Sequence, residues 1–395
     1  MSWPAYQRDA YLAELETEVI EIGRDNDRFF AITADTVFYP EGGGQPADHG
    51  FMGDVGVVDV QKVDGTIHHY LNGEPPVGSI HQTLDWKRRF DHMQQHTGQH
   101  LLTAIALGRF GWPTTAFHMG SSVCDIELGA ASLEDSDLRR LEDTVAEEIL
   151  AARPVISRRV QMDEMVALGV RSRLLPEGHS GEIRLVEIDG LDLNTCGGTH
   201  VRSTAEIGAL ALVGTEAMRG GTRLFFVAGD RVRRRLAAHE ARNLKLRTLL
   251  DAADDDLPEL VELHLDREKR LDRERRRLLA ELAQAESVRL VASDDRVIAG
   301  HWDDRELPFL QEIGKKLVEL APERVALLTV GTGSEGAFLI VASEDSGLDL
   351  GVVGPEICGI LDGRGGGRAP FFQGKAAAVG RRNEALERLI RQSPA

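Results

Sequence analysis

Over its first ninety residues the chain alternates short β-branched and aromatic runs with turn residues. TEVIEI, FFAITA, GVVDVQKV and TIHHYL are separated by Gly, Pro and Asp, the punctuation of antiparallel strands. The period changes after Phe90. In MQQHTGQHLLTAIALGRF the apolar positions Met93, Leu101, Leu102 and Ile105 recur at helical spacing. Strands are predicted next at SSVCDIEL and PVISRRVQ, with the helix SDLRRLEDTVAEEILAAR between them, then at EIRLVEID, IGALALVG and TRLFFVAG. From Arg231 to about Leu290 Gly and Pro almost vanish and Leu, Arg and Glu dominate, which predicts long helices. Leu271, Leu278 and Leu282 form a partial heptad seam interrupted by His264 and Arg275, so a helical hairpin or short coiled coil is expected. The last hundred residues alternate again: RVIAG, a helix around FLQEIGKKLVEL, strands RVALLTV and AFLIVAS, a Gly-rich loop GRGGGR and a final helix RRNEALERLIRQ.

This order predicts an α+β protein. A small antiparallel β domain at 1–89 precedes an α/β two-layer domain at 90–230, a helical linker at 231–292 and an α/β domain at 293–395. A length of 395 residues accommodates several cores. The 42% hydrophobic and 28% charged fractions exclude a disordered or fibrous chain. No run of about 18 uncharged apolar residues occurs, so no membrane span is expected. The opening MSWPAYQRDAYLAELE lacks the basic head and apolar stretch of an export signal, which makes the cytoplasm the expected location. Cys124, Cys196 and Cys358 are too few and scattered for a disulfide framework.

The strongest chemical signal is a pair of short motifs far apart in sequence. His96 and His100, four apart on a predicted helix, stack both imidazoles on one face, a spacing that suits two ligands of one metal. With 13 histidines in 395 residues chance supplies about 0.4 such pairs, and His92/His96 is a second one. Cys196-Gly-Gly-Thr-His200 is rarer, placing a thiolate and an imidazole on either side of a double-glycine turn. Together the four make a tetrahedral Zn2+ set, either a closed structural site or a catalytic one with a loosely held ligand. A third segment, DTVFYPEGGGQP, spans residues 35–46. Its three glycines would let backbone approach a ligand, with Thr36 and Gln45 presenting a hydroxyl and an amide; a plain β-hairpin is the alternative.

FYPEGGGQPADHG, HTGQHLL, CGGTHVRSTAEIGAL and GTRLFFVAGDR, in this order, resemble the editing half of alanyl-tRNA synthetases and the freestanding alanyl-tRNA editing proteins. GPEICGILDGRGGGRAPFFQGKA resembles the DHHA1-type domain that ends the synthetases and the long editing proteins. The resemblance covers essentially the whole chain. It implies zinc at His96, His100, Cys196 and His200, recognition of a serine hydroxyl by Thr36, and Gln45 beside the same pocket. It also implies deacylation of tRNA(Ala) carrying serine or glycine, with Ala-tRNA(Ala) left intact. The editing-like region starts within the first few dozen residues, so no ATP-dependent activation domain precedes it and editing in trans is expected. His100 rather than His92 completes the family pattern.

The net charge of 46 − 64 = −18 opposes a general affinity for RNA. Locally the balance reverses. Residues 231–250 carry seven basic side chains against one acidic, and residues 361–395 seven against three. Arg234 and Arg235 in the first run, and Arg364, Arg368 and Lys375 in the second, are the expected tRNA contacts. Phe371 and Phe372 either stack on unpaired bases or belong to the core. Two phosphate-loop lookalikes are discounted: GTGSEG at 331–336 joins two predicted strands as a hairpin, and Gly374-Lys375 lacks the upstream Gly and the Ser/Thr of a P-loop. Competing functions are editing of Ser-tRNA(Thr), a non-catalytic zinc-stabilised tRNA-binding module, and a metallopeptidase, which would need Glu where Thr97 stands. Homodimer formation is left open.

Overall fold

The alternating N-terminal segments close on themselves. The structure, a computed structural model, describes residues 3–168, 170, 181–333 and 335–394, and the chain divides into two compact units, Met1–Lys245 and Leu246–Ala395. In the first, a one-turn helix α1 (Ala5–Arg8) is followed by β1 (Glu14–Asp25), β2 (Arg28–Thr33), β3 (Gly50–Met52), β4 (Val55–Val63), β5 (Thr66–Leu71) and β6 (Gly78–Leu84). These strands form a closed antiparallel barrel in the order β1-β2-β5-β4-β3-β6, which leaves no sheet edge. Ala31, Phe38, Met52, Val57, Val60, Leu71 and Ile80 fill its interior. The FYPEGGGQP segment between β2 and β3 is a loop, not a pair of strands. Its one isolated bridge joins Gly42 and Gln45.

Helix α2 (Trp86–Phe110) begins directly after the barrel. Asp85 caps it by accepting from the Arg88 amide, and Gly111, at φ 70°, ends it. Next come β7 (Thr114–Met119), β8 (Cys124–Leu128), α3 (Asp135–Leu150), β9 (Val155–Val160), α4 (Met162–Ala167), β10 (Ile183–Ile188), β11 (Asp192–Thr195), β12 (Leu210–Met218), β13 (Gly221–Ala228) and α5 (Asp230–Leu250). The apolar stripe of α2 packs with Leu141, Val145 and Ile149 of α3 on the four-stranded sheet β12-β13-β8-β7, through Ile126, Leu224 and Phe226. A second, three-stranded sheet runs β11-β10-β9. Polar residues of α2 are buried as well, and most are answered. Gln95, for instance, donates to the Ala228 carbonyl and accepts from the Ala228 amide, both at 2.8 Å.

In the second unit, α6 (Leu257–Val291), β14 (Val297–Trp302), α7 (Leu307–Leu320), β15 (Val325–Thr332), β16 (Glu335–Val341), α8 (Leu350–Ile360), β17 (Gly363–Arg368), β18 (Phe371–Ala376) and α9 (Arg382–Gln392) build a five-stranded sheet, β14-β15-β16-β18-β17, covered on both faces. Val325, Leu327, Phe338 and Ile340 face α8 and α9, while Ala326, Leu328, Val330 and Leu339 face α6 and α7. Burial on both sides explains why β15 reads as an uninterrupted apolar run. β15 and β16 are joined as the expected hairpin, Thr332 opposite Glu335; Ser334 of GTGSEG lies outside the described residues. Two expectations need correction, those for GRGGGR and the leucine seam, and one alternative, the place of Phe372, is decided. GRGGGR is not a loop but the edge strand β17, where a Cβ on Gly365 would sit 2.3 Å from the Gln373 carbonyl oxygen. Phe372 is core, stacked on Phe338 at 6.2 Å, and is closed to bases. The seam leucines Leu271 and Leu278 are exposed.

One ion pair joins barrel to helix. Arg89, fully buried on the first turns of α2, donates to Asp48 Oδ2 through Nε (3.0 Å) and Nη2, and to the carbonyls of Ala10 (2.8 Å) and Val37 (2.6 Å). Asp48 Oδ2 also accepts from the Tyr39 amide at 2.7 Å, inside the FYPEGGGQ loop. Removing one partner strands a buried charge, so Arg89→Leu is expected to destabilise the first unit by about 3–5 kcal/mol. A lowered denaturant midpoint in equilibrium unfolding is the check.

Candidate metal centre

His96 and His100 point from adjacent turns of α2 toward Cys196 and His200, which end the CGGTH turn after β11. The four ligand atoms lie within 4.8 Å of one another. Cys196 Sγ is 3.4 Å from His96 Nε2 and 3.3 Å from His200 Nε2. A tetrahedral ion bonded at the usual Zn–N and Zn–S lengths holds three nitrogens and one sulfur about 3.3–3.6 Å apart, and the separations of Cys196 Sγ from His96 and His200 are already of that size.

The imidazoles are fixed from behind. His96 Nδ1 donates to Gln45 Oε1 at 2.8 Å, His100 Nδ1 to Asp192 Oδ2 at 3.3 Å and His200 Nδ1 to Thr97 Oγ1 at 3.1 Å. With each Nδ1 turned outward, all three Nε2 atoms converge, the arrangement by which protein metal sites set tautomer and ring orientation once His100 has given up its second proton. Gln45 is locked in turn, accepting from the Thr199 amide (3.1 Å) and donating to Thr199 Oγ1 (2.9 Å). Arg184 braces the turn by donating to the carbonyls of Cys196 and Gly198, both at 2.8 Å. Gly198 is required sterically: a Cβ there would lie 2.2 Å from His96 Cε1.

The electrostatics match a soft cation. Burial alone would push the Cys196 thiol up, but the imidazoles of His96, His200 and His100 hold it well below its usual value. Burial also disfavours charge on His100, yet Asp192 and the Cys196 thiolate raise it to about 9. His200 is pushed down to about 3, chiefly by burial. In front of the cluster opens a cavity of about 720 Å³, bordered by His96, His100 and Cys196, by the Tyr39–Gly43 loop, by Gln99, Thr103 and Phe117, and by Asn194 and Thr195. His200 stands behind this wall.

The other expected site residues fare differently. Gln45 reaches the cluster, but as the partner of His96 rather than as a group in the cavity. Thr36 does not border the cavity. The buried ring of His69 donates through Nδ1 to the Ala31 carbonyl (3.0 Å), so its Nε2 must accept the Thr36 hydroxyl proton (2.8 Å), while Thr36 Oγ1 accepts from the Phe38 amide (3.0 Å). Burial pushes His69 down to about 4, keeping it neutral. Thr36 is thus a brace of the loop, its proton given to His69 and one of its two Oγ1 lone pairs used by the Phe38 amide. His92 is not part of the quartet, and its Nδ1 is buried without a partner among the described residues. Thr97, Asp192 and Arg184 went unnoticed in the sequence; Thr97 sits where a zincin would have Glu, and only its contact with His200 reveals its part.

Arg364, Arg368 and Lys375 are exposed and make no ion pair among the described residues. Arg364 and Lys375 sit directly opposite each other on β17 and β18, a like-charge pairing that lowers strand stability. Arg235 is likewise exposed and unpaired among the described residues. Arg234, by contrast, contacts Asp230 (3.1 Å) and Asp91 (3.6 Å). Arg231 leaves the basic run altogether, buried against Asp91 at 2.7 Å.

A thiolate and three oriented imidazoles, three of the four residues bordering a cavity, make a ligand set that could hold a metal ion. Residues 183–225, which carry the CGGTH turn, match the family described as the threonyl and alanyl tRNA synthetase second additional domain. The chain is 34% identical over 405 residues to the alanyl-tRNA editing protein Aarsd1 of Danio rerio, covering 98% of this chain and 96% of that one. It is 33% identical over 217 residues to the alanyl-tRNA editing protein AlaX-L of Pyrococcus horikoshii, covering 53% of each. Against the alanine–tRNA ligase of Pyrococcus abyssi it is 28% identical over 412 residues, 98% of this chain and 43% of the ligase. The chain belongs to the alanyl-tRNA editing protein family.

Gln45→Leu removes the acceptor that orients His96 and is expected to weaken divalent-metal affinity about 10–100-fold, measured by competition with a chromogenic chelator. His100 must shed the proton that Asp192 and Cys196 stabilise before its Nε2 can bind. Metal affinity should therefore rise about tenfold per pH unit between about pH 6 and 8, with roughly one proton released per ion; a flat profile in the same competition would contradict this.

Proposed function

We propose that the protein hydrolyses the ester of mischarged alanine tRNA, Ser-tRNA(Ala) and Gly-tRNA(Ala), using Zn2+ held by His96, His100, Cys196 and His200. The reading is carried by one observation: in a member of the alanyl-tRNA editing family, three of four converging ligands form the wall of a cavity roomy enough for the aminoacyl end of a tRNA. A purely structural zinc site has no need of such access.

Bound zinc would supply Lewis acidity toward the ester carbonyl or an anchor for the substrate beside the attacking water. The chain's own contribution is orientation. Gln45, Asp192 and Thr97 keep the Nδ1 protons turned away from the cavity, and Arg184 holds the CGGTH turn against α2. Phe117, with Leu107 and Pro113, gives the cavity an apolar side that suits a small amino acid and limits bulk water. The task itself follows from chemistry, since a synthetase pocket built for alanine cannot strongly exclude an isostere that adds a hydroxyl or lacks a methyl.

The tRNA body is assigned to Arg364, Arg368 and Lys375 on β17 and β18, with Arg235 and Arg234 on α5. Like charges facing each other on an edge strand are costly to the fold and useful to a phosphate ligand. No described helix is long and apolar enough to cross a membrane.

Incubation with Ser-tRNA(Ala), Ala-tRNA(Ala) and Ser-tRNA(Thr) tests the reading. Only the first should lose its amino acid, and chelation or Cys196→Ala should abolish the loss; survival of Ser-tRNA(Ala) with the metal-loaded protein would refute it. The double variant Arg364→Ala/Arg368→Ala should weaken tRNA binding and shallow the plot of log K against log salt by about one to two, measured by filter binding over a salt series.

A further inference from the structure

We infer that the cavity at the first turns of α2 is a second ligand site, one that takes a phosphate of the tRNA strand together with a neighbouring base; the RNA source rests on the editing reading above. The cavity, about 560 Å³, lies wholly within the first unit, between those turns, Ser121 of the β7–β8 turn and the start of α5. It shares no bordering residue with the cavity at the metal cluster.

Its wall holds a polar group that the fold leaves unused. His92 is 4% exposed and makes no hydrogen bond among the described residues. Its Nδ1 is enclosed, whereas Nε2 is not, and the ring borders the cavity. Burial pushes the imidazole down to about 4, so the ring is neutral and carries one proton. An enclosed N–H without an acceptor is costlier than an enclosed lone pair. The proton therefore sits on Nε2 and is offered to the cavity. A fixed, uncharged donor with no acceptor in its own chain calls for one from outside.

The charges around His92 favour an anion. Each carboxylate of the wall is already engaged: Asp85 accepts from the Arg88 amide (3.1 Å), Asp91 from Arg231 Nη2 (2.7 Å) and Asp230 from Arg233 Nε (2.7 Å). Two cations remain available. Lys87 is exposed and makes no ion pair among the described residues. Arg88 spends only Nε, on the Ala47 carbonyl (2.9 Å), which leaves both terminal nitrogens. The positive end of the α2 dipole adds to them. Trp86 and Phe90, their rings 5.7 Å apart and only partly buried, border the same cavity. Donors and cations beside open aromatic rings match the chemistry of one nucleotide. The phosphate meets His92, Lys87 and Arg88, and the base packs on the rings.

Filter binding of uncharged tRNA(Ala) over a salt series tests the site, with wild type set against His92→Leu, His92→Gln and Lys87→Ala. His92→Leu should weaken binding about tenfold, whereas His92→Gln, which restores an N–H donor, should stay within about threefold of wild type. Lys87→Ala, a surface change, should shallow the plot of log K against log salt by about one. Metal content read on the same preparations should match wild type, which separates a lost contact from damage to the cluster one turn away. Wild-type affinity in His92→Leu, or an unchanged salt slope in Lys87→Ala, would overturn the site; if His92→Leu does not fold, Lys87→Ala decides alone. AMP and inorganic phosphate distinguish the sources, since each should displace tRNA only far above the Kd of tRNA. Displacement by AMP near that Kd would mean a free-nucleotide site and overturn the RNA assignment. Binding of uncharged tRNA does not depend on hydrolysis, so a wild type that binds it but leaves Ser-tRNA(Ala) intact overturns the hydrolytic reading and not this site.

Discussion

Everything at the site depends on where three buried imidazole N–H groups find acceptors. In a dry interior each must be paired, and each pairing fixes which nitrogen is left to face the thiolate. The acceptors come from three places: Gln45 from the loop that leaves the barrel, Asp192 from the first residue of β11, and Thr97 from α2 itself. The centre therefore exists only when the barrel, the helix and the three-stranded sheet have assembled. Arg89 makes that assembly tight, since the carboxylate it pairs with also holds the Tyr39 amide six residues ahead of Gln45. The glycines serve the same end: Gly198 is small because the His96 ring occupies the space a Cβ would need.

Much of this was legible in the sequence, for physical reasons that differ between parts. The strands of the barrel and of the second unit announce themselves because a period of two, or an apolar run buried on both faces, survives in the letters. The cluster of His96, His100, Cys196 and His200 was legible because metal chemistry restricts residue types and a helix or tight turn restricts their spacing. What failed to show were features defined by partners distant in sequence. Gln45 lies 51 positions from His96 and Asp192 lies 92 from His100, and no local pattern ties them. GRGGGR reads as a loop because glycine usually disfavours strands, yet here β17 packs so close to β18 that side chains at Gly365 and Gly367 would strike its carbonyls. α8 was missed for a similar reason. Its Gly351, Gly354 and Pro355 are poor helix formers, and burial of Leu350, Val353 and Ile357 overrides them, with Gly354 kept small by the Phe372 ring.

Charge was legible only in part. Seven basic residues at 231–250 look like one patch in the sequence, but the structure sorts them. Arg231 is a buried strut to Asp91, Arg233 is tied to Asp230, Arg247 to Asp254, and Arg235 stays exposed and unpaired. The same sorting of the tail ties Arg381 to Glu384 and Arg388 to Glu356 and leaves Arg364, Arg368 and Lys375 exposed. With a net charge of −18 around them, such isolated cations have little long-range pull on RNA. Any contact they make with a polyanion would be short-ranged, which favours one correctly placed ligand over any passing one.

Thr36 shows how the neighbours of a side chain decide what its hydroxyl can offer. Nothing in its letter or spacing separates a threonine that reads a ligand from one that braces a loop. The difference is set by His69, whose Nδ1 proton is claimed by the Ala31 carbonyl, which leaves Nε2 as an acceptor and commits the threonine proton to it. Burial holds that ring neutral, so the commitment does not lapse near neutral pH. A hydroxyl so committed cannot donate to a ligand, but it keeps a second Oγ1 lone pair with which to accept from one. Discrimination between a hydroxyl and a methyl turns on whether such an acceptor is met, because an unmet hydrogen bond is what makes the wrong substrate costly.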